Sequence, residues 1–225
     1  MSDKSRRLRV AIDGPAGAGK STVAREVSKR LKLKYLDTGA MYRAITLKVH
    51  REKIDLANLE TLKEMLDRTT VQIGNDKKVF LDGEDVTEEI RMSHVNDLVS
   101  PVSCISLVRK RLVAMQQAIA NESDRIIMEG RDIGSRVMPD AEFKFYLDAS
   151  LEERARRRNK EQLEKKNNLS LDEVAAEIKR RDEIDSGRAD SPLTRVEDAV
   201  LVDTTAMSFD EVVDSIIRKI TEQLH

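Results

Sequence analysis

The sequence predicts an α/β fold in which helices cover a parallel sheet. Short apolar runs recur along the chain and alternate with segments of helical periodicity or with a longer insertion. Strands of a parallel sheet are buried on both faces, so short continuous apolar runs separated by helices are typical of this fold class. The predicted strands lie at 8–12, 35–36, 126–128, 143–147 and 199–202.

Capping patterns predict where several helices begin. Ser208–Glu211 has the spacing of a capping box, and apolar residues at a helical period follow it as far as Leu224. The same pairing of serine with glutamate predicts helix starts at Ser150–Glu153 and Ser170–Glu173. We expect the C-terminal helix to pack its apolar stripe against the core.

Two segments depart from the alternation of strands and helices. Between about residues 58 and 87, leucines at helical spacing predict a short helix, and 70–73 with 78–81 predict a hairpin around the turn residues 74–76. The polar segment 159–168 follows a cluster of arginines and lies between two capped helices. We expect the first segment to be an insertion and the second to be an irregular, mobile lid.

A glycine-rich motif predicts phosphate binding. The run 14–21 fits G-x-x-x-x-G-K-[ST] at every fixed position and lies between a predicted strand and a predicted helix at 21–31. Glycines allow a tight turn that points backbone N–H groups at phosphate oxygens, and the next helix adds its positive dipole end. We expect Lys20 to hold the β- and γ-phosphates and Ser21 to bind a magnesium ion. The predicted nucleoside triphosphate site consists of Gly14, Pro15, Ala16, Gly17, Ala18, Gly19, Lys20, Ser21 and Thr22.

The composition restricts partners and location. Lys and Arg number 40 against 41 Asp and Glu, which disfavours non-specific binding to nucleic acid. No long apolar run and no signal-like N-terminus is present, so we expect a cytoplasmic protein with no membrane partner. Cys104 has no second cysteine to pair with and is expected to be a small buried residue. His50, His94 and His225 have no metal-ligand spacing.

Further motifs narrow the class of phosphate-binding protein. They are Leu-Asp-Thr-Gly-Ala-Met-Tyr-Arg at 36–43, Glu-Gly-Arg-Asp-Ile-Gly at 129–134 and Arg-Asp-x-x-Asp-x-x-Arg at 181–188. Together with the phosphate loop and the hairpin insertion, they closely resemble the bacterial cytidylate kinase family over the length from the loop to the C-terminal helix. The resemblance implies a single P-loop kinase domain over 1–225, with a five-stranded parallel sheet flanked by helices. It also implies a small antiparallel CMP-binding insertion at about 58–96 and an Arg-rich lid at about 151–170.

The resemblance implies that ATP, with magnesium, donates its γ-phosphoryl group to CMP or dCMP, and that the protein is a monomer. The second pKa of a phosphate monoester is about 6, so the acceptor oxygen is largely deprotonated near neutral pH and needs no general base. Catalysis is then expected from cations that surround the transferred group. The expected catalytic residues are Lys20, Arg154, Arg157, Arg158 and Arg181.

By the same resemblance, Arg43, Arg131 and Arg188 hold the acceptor phosphate, because a planar guanidinium pairs with two phosphate oxygens at once. Asp185 is expected to reach the ribose hydroxyls, and Arg181 to lie near the transferred phosphate. If 181–188 is helical, Arg181, Asp185 and Arg188 share one face of that helix. The alternative to a binding role is that these side chains form a ladder of ion pairs exposed to solvent. Asp37 and Tyr42, in the 36–43 motif, are also expected to bind the acceptor.

Base recognition is expected from Asp132. Cytosine offers an exocyclic amine where uracil offers a carbonyl, so a fixed carboxylate attracts the first and repels the second. By resemblance, Ser100 and Arg109 complete the cytosine pocket. Ser100 precedes Pro101 and is equally suited to cap a helix, and Arg109 beside an apolar stripe is equally suited to face solvent.

The lid arginines Arg154, Arg157 and Arg158 share a helical face, which is either solvated or closes over the polyphosphate. Waters on the magnesium ion could be oriented by one of three carboxylates, those of Asp37, Asp13 and Glu129.

Three other functions start from the same loop. A regulatory GTPase is disfavoured because residues 159–162, Asn-Lys-Glu-Gln, lack the acidic residue of the guanine-reading motif N-K-x-D. An ATPase that acts on nucleic acid is disfavoured by the balanced charge. A kinase with another acceptor, such as UMP or a small-molecule alcohol, stays open.

Overall fold

A computed structural model of the chain describes residues 7–74, 78–164 and 169–224. The chain divides into two compact units, the first formed by residues 1–35 and 123–225 and the second by residues 36–122. The strands of the main sheet are β1 (Leu8–Asp13), β2 (Lys34–Asp37), β6 (Arg125–Gly130), β7 (Phe143–Asp148) and β8 (Val200–Asp203). They lie in the order β2-β6-β1-β7-β8, which confirms the predicted α/β fold with its five-stranded sheet.

The central strand β1 leads directly into the phosphate loop. It pairs in parallel with β6 and with β7, β7 pairs in parallel with β8, and all residues of β1 are buried. The registers place Asp13 opposite Gly130 on one side and Tyr146 on the other. The carboxyl ends of these strands therefore meet at one edge of the sheet, which is where ligands bind in open α/β folds.

The helices of the first unit are α1 (Lys20–Leu31), α6 (Leu151–Glu164), α7 (Leu171–Ser186) and α8 (Phe209–Leu224). Helices α1 and α8 pack with the strands in one apolar cluster. Full burial of one aliphatic side chain contributes about 1.5–3 kcal/mol, so this cluster holds α1, and with it the end of the phosphate loop, in place. The helical residues buried in the cluster are Val23, Ala24, Val27, Val212, Val213, Ile216 and Ile220.

Two of the predicted capping boxes are confirmed. The Ser208 N–H donates to the Glu211 carboxylate at 2.8 Å, and the Glu211 N–H donates to Ser208 Oγ at 3.3 Å. Ser170 and Glu173 form the same reciprocal pair at the start of α7.

The third capping box is only half formed. The Glu153 N–H donates to Ser150 Oγ at 3.2 Å, but the Ser150 N–H donates to Thr205 Oγ1 at 2.9 Å instead of to Glu153. The Glu153 carboxylate accepts hydrogen bonds from Arg156 and Arg157 at 2.7–2.8 Å. The prediction of a reciprocal box was wrong here because two guanidinium groups on the same helix bind the carboxylate.

The second unit carries four helices and a small antiparallel sheet within its described residues. The sheet has the order β3-β4-β5, and it contains the predicted hairpin; the turn residues 75–76 lie outside the described residues. The elements are α2 (Thr38–Arg51), α3 (Leu59–Asp67), β3 (Val71–Ile73), β4 (Val79–Leu81), β5 (Glu84–Asp85), a 3₁₀ turn (Glu89–Arg91), α4 (Ser93–Cys104) and α5 (Ser106–Asn121). Across both units, the described residues include no helix with the length and apolar character needed to cross a membrane.

Two expectations about local structure were wrong. Residues 159–164 are the last turns of α6 rather than an irregular segment, while 165–168 lie outside the described residues. The polar composition there belongs to an exposed helix, on which even Leu163 is 55% exposed. Cys104 is exposed rather than buried, because it ends α4 just before the chain turns into α5.

Candidate active site

The phosphate loop has the backbone geometry that its glycines predict. Gly14 has a φ of 149°, and a Cβ atom there would lie 2.0 Å from the carbonyl oxygen of Leu147. Gly19 adopts the left-handed conformation, with a φ of 84°, at the start of α1. Both positions therefore need glycine, the first for space and the second for its backbone conformation.

Lys20, the first residue of α1, follows the glycine turn directly and is 5% exposed. Its Nζ donates a hydrogen bond to the Pro15 carbonyl oxygen at 2.6 Å. Burial, and then the nearby positive charges of Arg131 and Arg181, lower the pKa of Lys20. A bound polyphosphate would offset this crowding of positive charge, so the residues present fit an anionic ligand.

Ser21 is half-buried in the first turn of α1, and the Thr22 hydroxyl donates to the Gly19 carbonyl at 2.8 Å. Of the two first-unit carboxylates expected to orient magnesium waters, Asp13 accepts two backbone hydrogen bonds and Glu129 accepts one from the Tyr35 hydroxyl at 2.9 Å. Residues 7–74, 78–164 and 169–224 contain no group of three or more His, Cys, Asp or Glu side chains that is arranged to hold a metal ion. The residues fit a magnesium ion bound by one hydroxyl, phosphate oxygens and water, since Mg²⁺ usually retains several waters.

Three of the predicted acceptor residues meet in one cluster. Arg131 Nε donates to Asp185 Oδ2 at 2.8 Å, and Arg188 Nη2 pairs with Asp185 Oδ1. Burial acts to raise the pKa of Asp185, but the charges of Arg131, Arg188 and Arg181 outweigh it and the pKa is lowered. The ionised carboxylate thus holds both guanidinium groups in place, and the alternative of a solvated ion-pair ladder is wrong because the Asp185 side chain is 2% exposed.

Asp132 lies just after β6, immediately before a π-helical turn at Ile133–Val137, and is 3% exposed. The backbone N–H groups of Ile133 and Gly134 donate to the Asp13 carboxylate at 2.9 and 2.8 Å. Burial raises the pKa of Asp13 to about 6, although these two hydrogen bonds act to lower it. Asp13 therefore fixes the turn that carries Asp132, and single π-helical turns are frequent at functional sites.

The predicted lid arginines have different surroundings. Arg154 is buried and donates to the carbonyls of Ala149 and Ala16, each at 3.0 Å. Arg157 binds the Thr204 hydroxyl and carbonyl at 2.9 and 2.6 Å, in addition to Glu153. Arg158 pairs with Glu161 at 3.1 Å on the same helix. The three do not form one solvated basic face, because each guanidinium is bound to protein acceptors.

The 36–43 motif runs from the end of β2 into the first turns of α2. The Asp37 carboxylate caps this helix by accepting a hydrogen bond from the Ala40 N–H at 3.0 Å. The Arg43 guanidinium passes over Gly39, where a Cβ atom would lie 3.1 Å from its Nη1, and its Nε is 3.4 Å from Asn96 Oδ1. Gly39 therefore leaves the space that Arg43 uses.

Arg109 does not face solvent. It is 2% exposed, donates from Nη1 to the Ser103 carbonyl at 3.2 Å, and its Cζ lies 5.3 Å from the centre of the Tyr42 ring. A desolvated cation over an aromatic ring can contribute about 2 kcal/mol. Two of the predicted acceptor-binding residues are thus in direct contact.

Ser100 does not cap a helix. It lies inside α4, with Pro101 as the next helical residue, and the helix ends only after Cys104, at its C-cap Ile105. Its carbonyl accepts a hydrogen bond from the Ser103 hydroxyl at 2.9 Å. The prediction of a helix start was wrong because α4 already begins at Ser93, so that Pro101 lies inside a helix rather than in its first turn.

Sequence reasoning included Asp182 in the 181–188 motif but assigned it no role. Its Oδ1 accepts a hydrogen bond from the Ala16 N–H at 3.1 Å, and its Oδ2 pairs with Arg154. The residue follows Arg181 in the 181–188 motif, but only the packing of α7 shows that it reaches the phosphate loop.

The five-stranded sheet, the glycine loop at the end of β1 and the cationic groups around Lys20 define a phosphate-binding protein of the P-loop kinase class. An uncharacterized protein from Eubacterium ventriosum has a similar fold, with a TM-score of 0.53 and 13% identity over 95% of this chain and 98% of its own. The family model of cytidylate kinase matches residues 10–222.

Named relatives agree with this match. The chain is 53% identical to the cytidylate kinase of Caldanaerobacter subterraneus subsp. tengcongensis over 96% of each chain. It is 52% identical to the cytidylate kinase of Desulforamulus reducens over 92% of this chain and 94% of the relative. The protein belongs to the cytidylate kinase family, as its motifs predicted.

Proposed function

We propose that this protein transfers the γ-phosphoryl group of ATP to CMP or dCMP and releases ADP with CDP or dCDP. The observation that carries the proposal is the placement of buried Lys20 in a glycine loop of the required geometry, close to the positive charges of Arg131 and Arg181. Membership of the cytidylate kinase family supports the choice of reaction.

Residues 14–22 bind the donor. When ATP is present, Lys20 exchanges its bond to the Pro15 carbonyl for bonds to phosphate oxygens, and the bound anion favours the charged ammonium. The Ser21 hydroxyl would be the protein ligand of a magnesium ion. That ion would neutralise phosphate charge when bound.

The acceptor is held by its phosphate, its ribose and its base. Arg43, Arg131 and Arg188 bind the phosphate, and the contacts of Arg131 and Arg188 with Asp185 support this role because they orient both guanidinium groups in advance. Asp185 also binds the ribose. The residues that recognise cytosine or complete this site are Asp132, Ser100, Arg109, Asp37 and Tyr42.

The transfer needs no protein base. An oxygen of the acceptor phosphate, which is largely dianionic near neutral pH, forms a bond to the γ-phosphorus while the bond from that phosphorus to the β–γ bridging oxygen breaks. The electron pair leaves with ADP. Lys20, Arg157, Arg158 and Arg181 stabilise the charge that develops, as cations do in other phosphoryl-transfer enzymes.

We further propose a single kinase domain with an acceptor-binding insertion at about 58–96 and a lid at about 151–170. The protein is proposed to act as a monomer in the cytoplasm, without a nucleic-acid or membrane partner. The balanced charge of the chain, 40 basic against 41 acidic residues, supports the exclusion of nucleic acid.

A panel of acceptors tests the reaction. Purified protein with fixed ATP and magnesium is given CMP, dCMP, UMP, AMP or GMP, and both ADP and the nucleoside diphosphate are measured. We expect equal amounts of the two products, with CMP or dCMP giving the highest kcat/KM. Slow ATP hydrolysis without acceptor phosphorylation would indicate a switch or an ATPase, and stimulation by added nucleic acid would indicate a nucleic-acid enzyme.

A further inference from the structure

Ala16, in the phosphate loop, is held by side chains from two helices. Its N–H donates to Asp182 Oδ1 of α7 at 3.1 Å, and its carbonyl accepts from Arg154 Nη1 of α6 at 3.0 Å. The same Arg154 nitrogen pairs with Asp182 Oδ2. One ion pair thus binds both polar backbone groups of a single loop residue.

The ion pair is itself held in place. Arg154 Nε donates to the Ala149 carbonyl at 3.0 Å, and the side chain of Arg154 is 10% exposed. Ala16 also packs in an apolar cluster with Ala155 of α6 and with Val174 and Ile178 of α7. A shift of the loop at Ala16 would therefore break charged hydrogen bonds and apolar contacts together.

The loop beside Ala16 has little room to move toward α6. A Cβ atom on Gly17 would lie 3.1 Å from both the Cβ atom and the carbonyl oxygen of Arg154. Gly17 has a φ of 77°, and Gly14 and Gly19 also have positive φ values, so the loop contains several residues of high backbone freedom. Such a loop loses conformational entropy when it orders around a ligand unless other contacts order it first.

We propose that Asp182 is a positioning residue and that, with Arg154, it forms a clamp that orders the phosphate loop before the donor binds. The inference deepens the proposed function and rests on it in taking ATP as the donor. Arg154, expected from the sequence to be catalytic, is proposed instead to act through the loop, because its Nη1 donates to the Ala16 carbonyl of that loop. Asp182 differs from its neighbour Asp185, whose carboxylate orients Arg131 and Arg188 instead.

The main test compares Asp182→Ala and Asp182→Asn with the control Glu183→Ala, which removes an exposed carboxylate from the next position of the same helix. The Kd for ATP is titrated without any acceptor, and the KM for CMP is measured at saturating ATP. Hydrogen bonds to charged groups contribute enough that we expect Asp182→Ala to weaken ATP binding by about 10- to 100-fold. Its KM for CMP should change by less than about threefold, and the control should match wild type.

Partial rescue separates the clamp from general damage. Asp182→Asn keeps an oxygen that can accept from the Ala16 N–H, so its ATP affinity should lie between those of wild type and Asp182→Ala. An unchanged Kd for ATP in Asp182→Ala, or equal weakening of ATP and CMP, would overturn the proposal.

If Asp182→Ala does not fold, Arg154→Lys and Asp182→Asn are tested singly and together. A clamp predicts that the double variant binds ATP only about as weakly as the worse single variant, because the residues act as a pair. If the fold-losses of ATP affinity in the two single variants instead multiply in the double variant, the clamp is contradicted. Since the titration contains no acceptor, a wild-type protein that binds ATP but does not phosphorylate CMP would refute the proposed function and leave the clamp testable.

Discussion

The carboxylate of Asp13 accepts a hydrogen bond from the backbone N–H of Gly134 at 2.8 Å. Asp13 immediately precedes the phosphate loop, and Gly134 lies in the turn that follows Asp132. The second carboxylate oxygen accepts from the Ile133 N–H at 2.9 Å. One buried acidic side chain therefore joins the strand that carries the donor loop to the turn that carries the residue proposed to recognise cytosine.

The charge of Asp13 should give a specific pH dependence of stability. Burial raises its pKa from 3.8 to about 6, so between these values the folded protein binds a proton more readily than the unfolded chain does. Stability from this residue is therefore full below about pH 4 and falls as the pH rises toward 6. The difference in unfolding free energy between wild type and Asp13→Asn, from urea titrations at pH 4 to 7, should decrease by about 1.4 kcal/mol per pH unit at most. A difference that stays constant, or that increases with pH, would contradict the shift.

Asp132→Asn should reduce the preference for CMP over UMP. The neutral amide can donate to the uracil carbonyl and no longer repels it, so we expect the ratio of the kcat/KM values to fall by about 10-fold or more. Steady-state kinetics with both acceptors measure this ratio. Asp140→Asn, which changes a carboxylate that is 60% exposed, is the control. An unchanged ratio in Asp132→Asn rejects the assignment.

Arg188→Ala should impair use of CMP much more than binding of ATP. The change removes a proposed phosphate ligand and leaves the buried Asp185 carboxylate with one fewer cationic partner. Breaking a buried ion pair by removing one member costs about 3–5 kcal/mol, so the melting temperature should also fall. The KM for CMP and the Kd for ATP are compared with those of Arg180→Ala, which changes an exposed residue of α7, the helix that ends at Ser186 just before Arg188. Equal losses for both ligands would indicate a general structural role.

Two glycine substitutions should lower the free energy of unfolding by very different amounts. Gly14→Ala places a Cβ atom 2.0 Å from the Leu147 carbonyl oxygen, so β1 or β7 must shift and ATP binding should be lost. Gly83 also has a positive φ, of 88°, but a Cβ atom there meets nothing within 4 Å. Gly83→Ala should therefore cost only the backbone strain, about 1–2 kcal/mol. Urea unfolding of both variants makes the comparison, and similar losses would show that steric contact is not what requires Gly14.

Much of the fold could be predicted because its signals are local. The apolar run at β1 and the stripe of α8 with its Ser208–Glu211 cap depend only on residues close in sequence. The end of α6 was missed because an exposed polar helix and a loop have similar compositions. Cys104 was misplaced because its exposure depends on where α4 ends.

In the candidate site too, some features could be predicted from local sequence and others required the tertiary structure. The spacing of Gly14–Ser21 indicated phosphate binding without any tertiary information, and the structure gives its glycines the expected backbone conformations. The position of Arg109 against Tyr42, and of Asp182 against Ala16, needed the packing of separate helices. Sequence spacing does not specify such contacts.

The amino-acid sequence alone determined the alternation of strands and helices, the phosphate-binding turn and the family to which the protein belongs, because these depend on local backbone preferences and motif spacing. Only the tertiary structure decided which opposite charges meet. Arg154 binds Asp182 rather than remaining in a basic lid face, and Asp185 binds Arg131 from a position 54 residues away. The strength of an ion pair depends on the distance between its two charges and on their burial. The sequence does not specify either quantity for residues that are far apart along the chain.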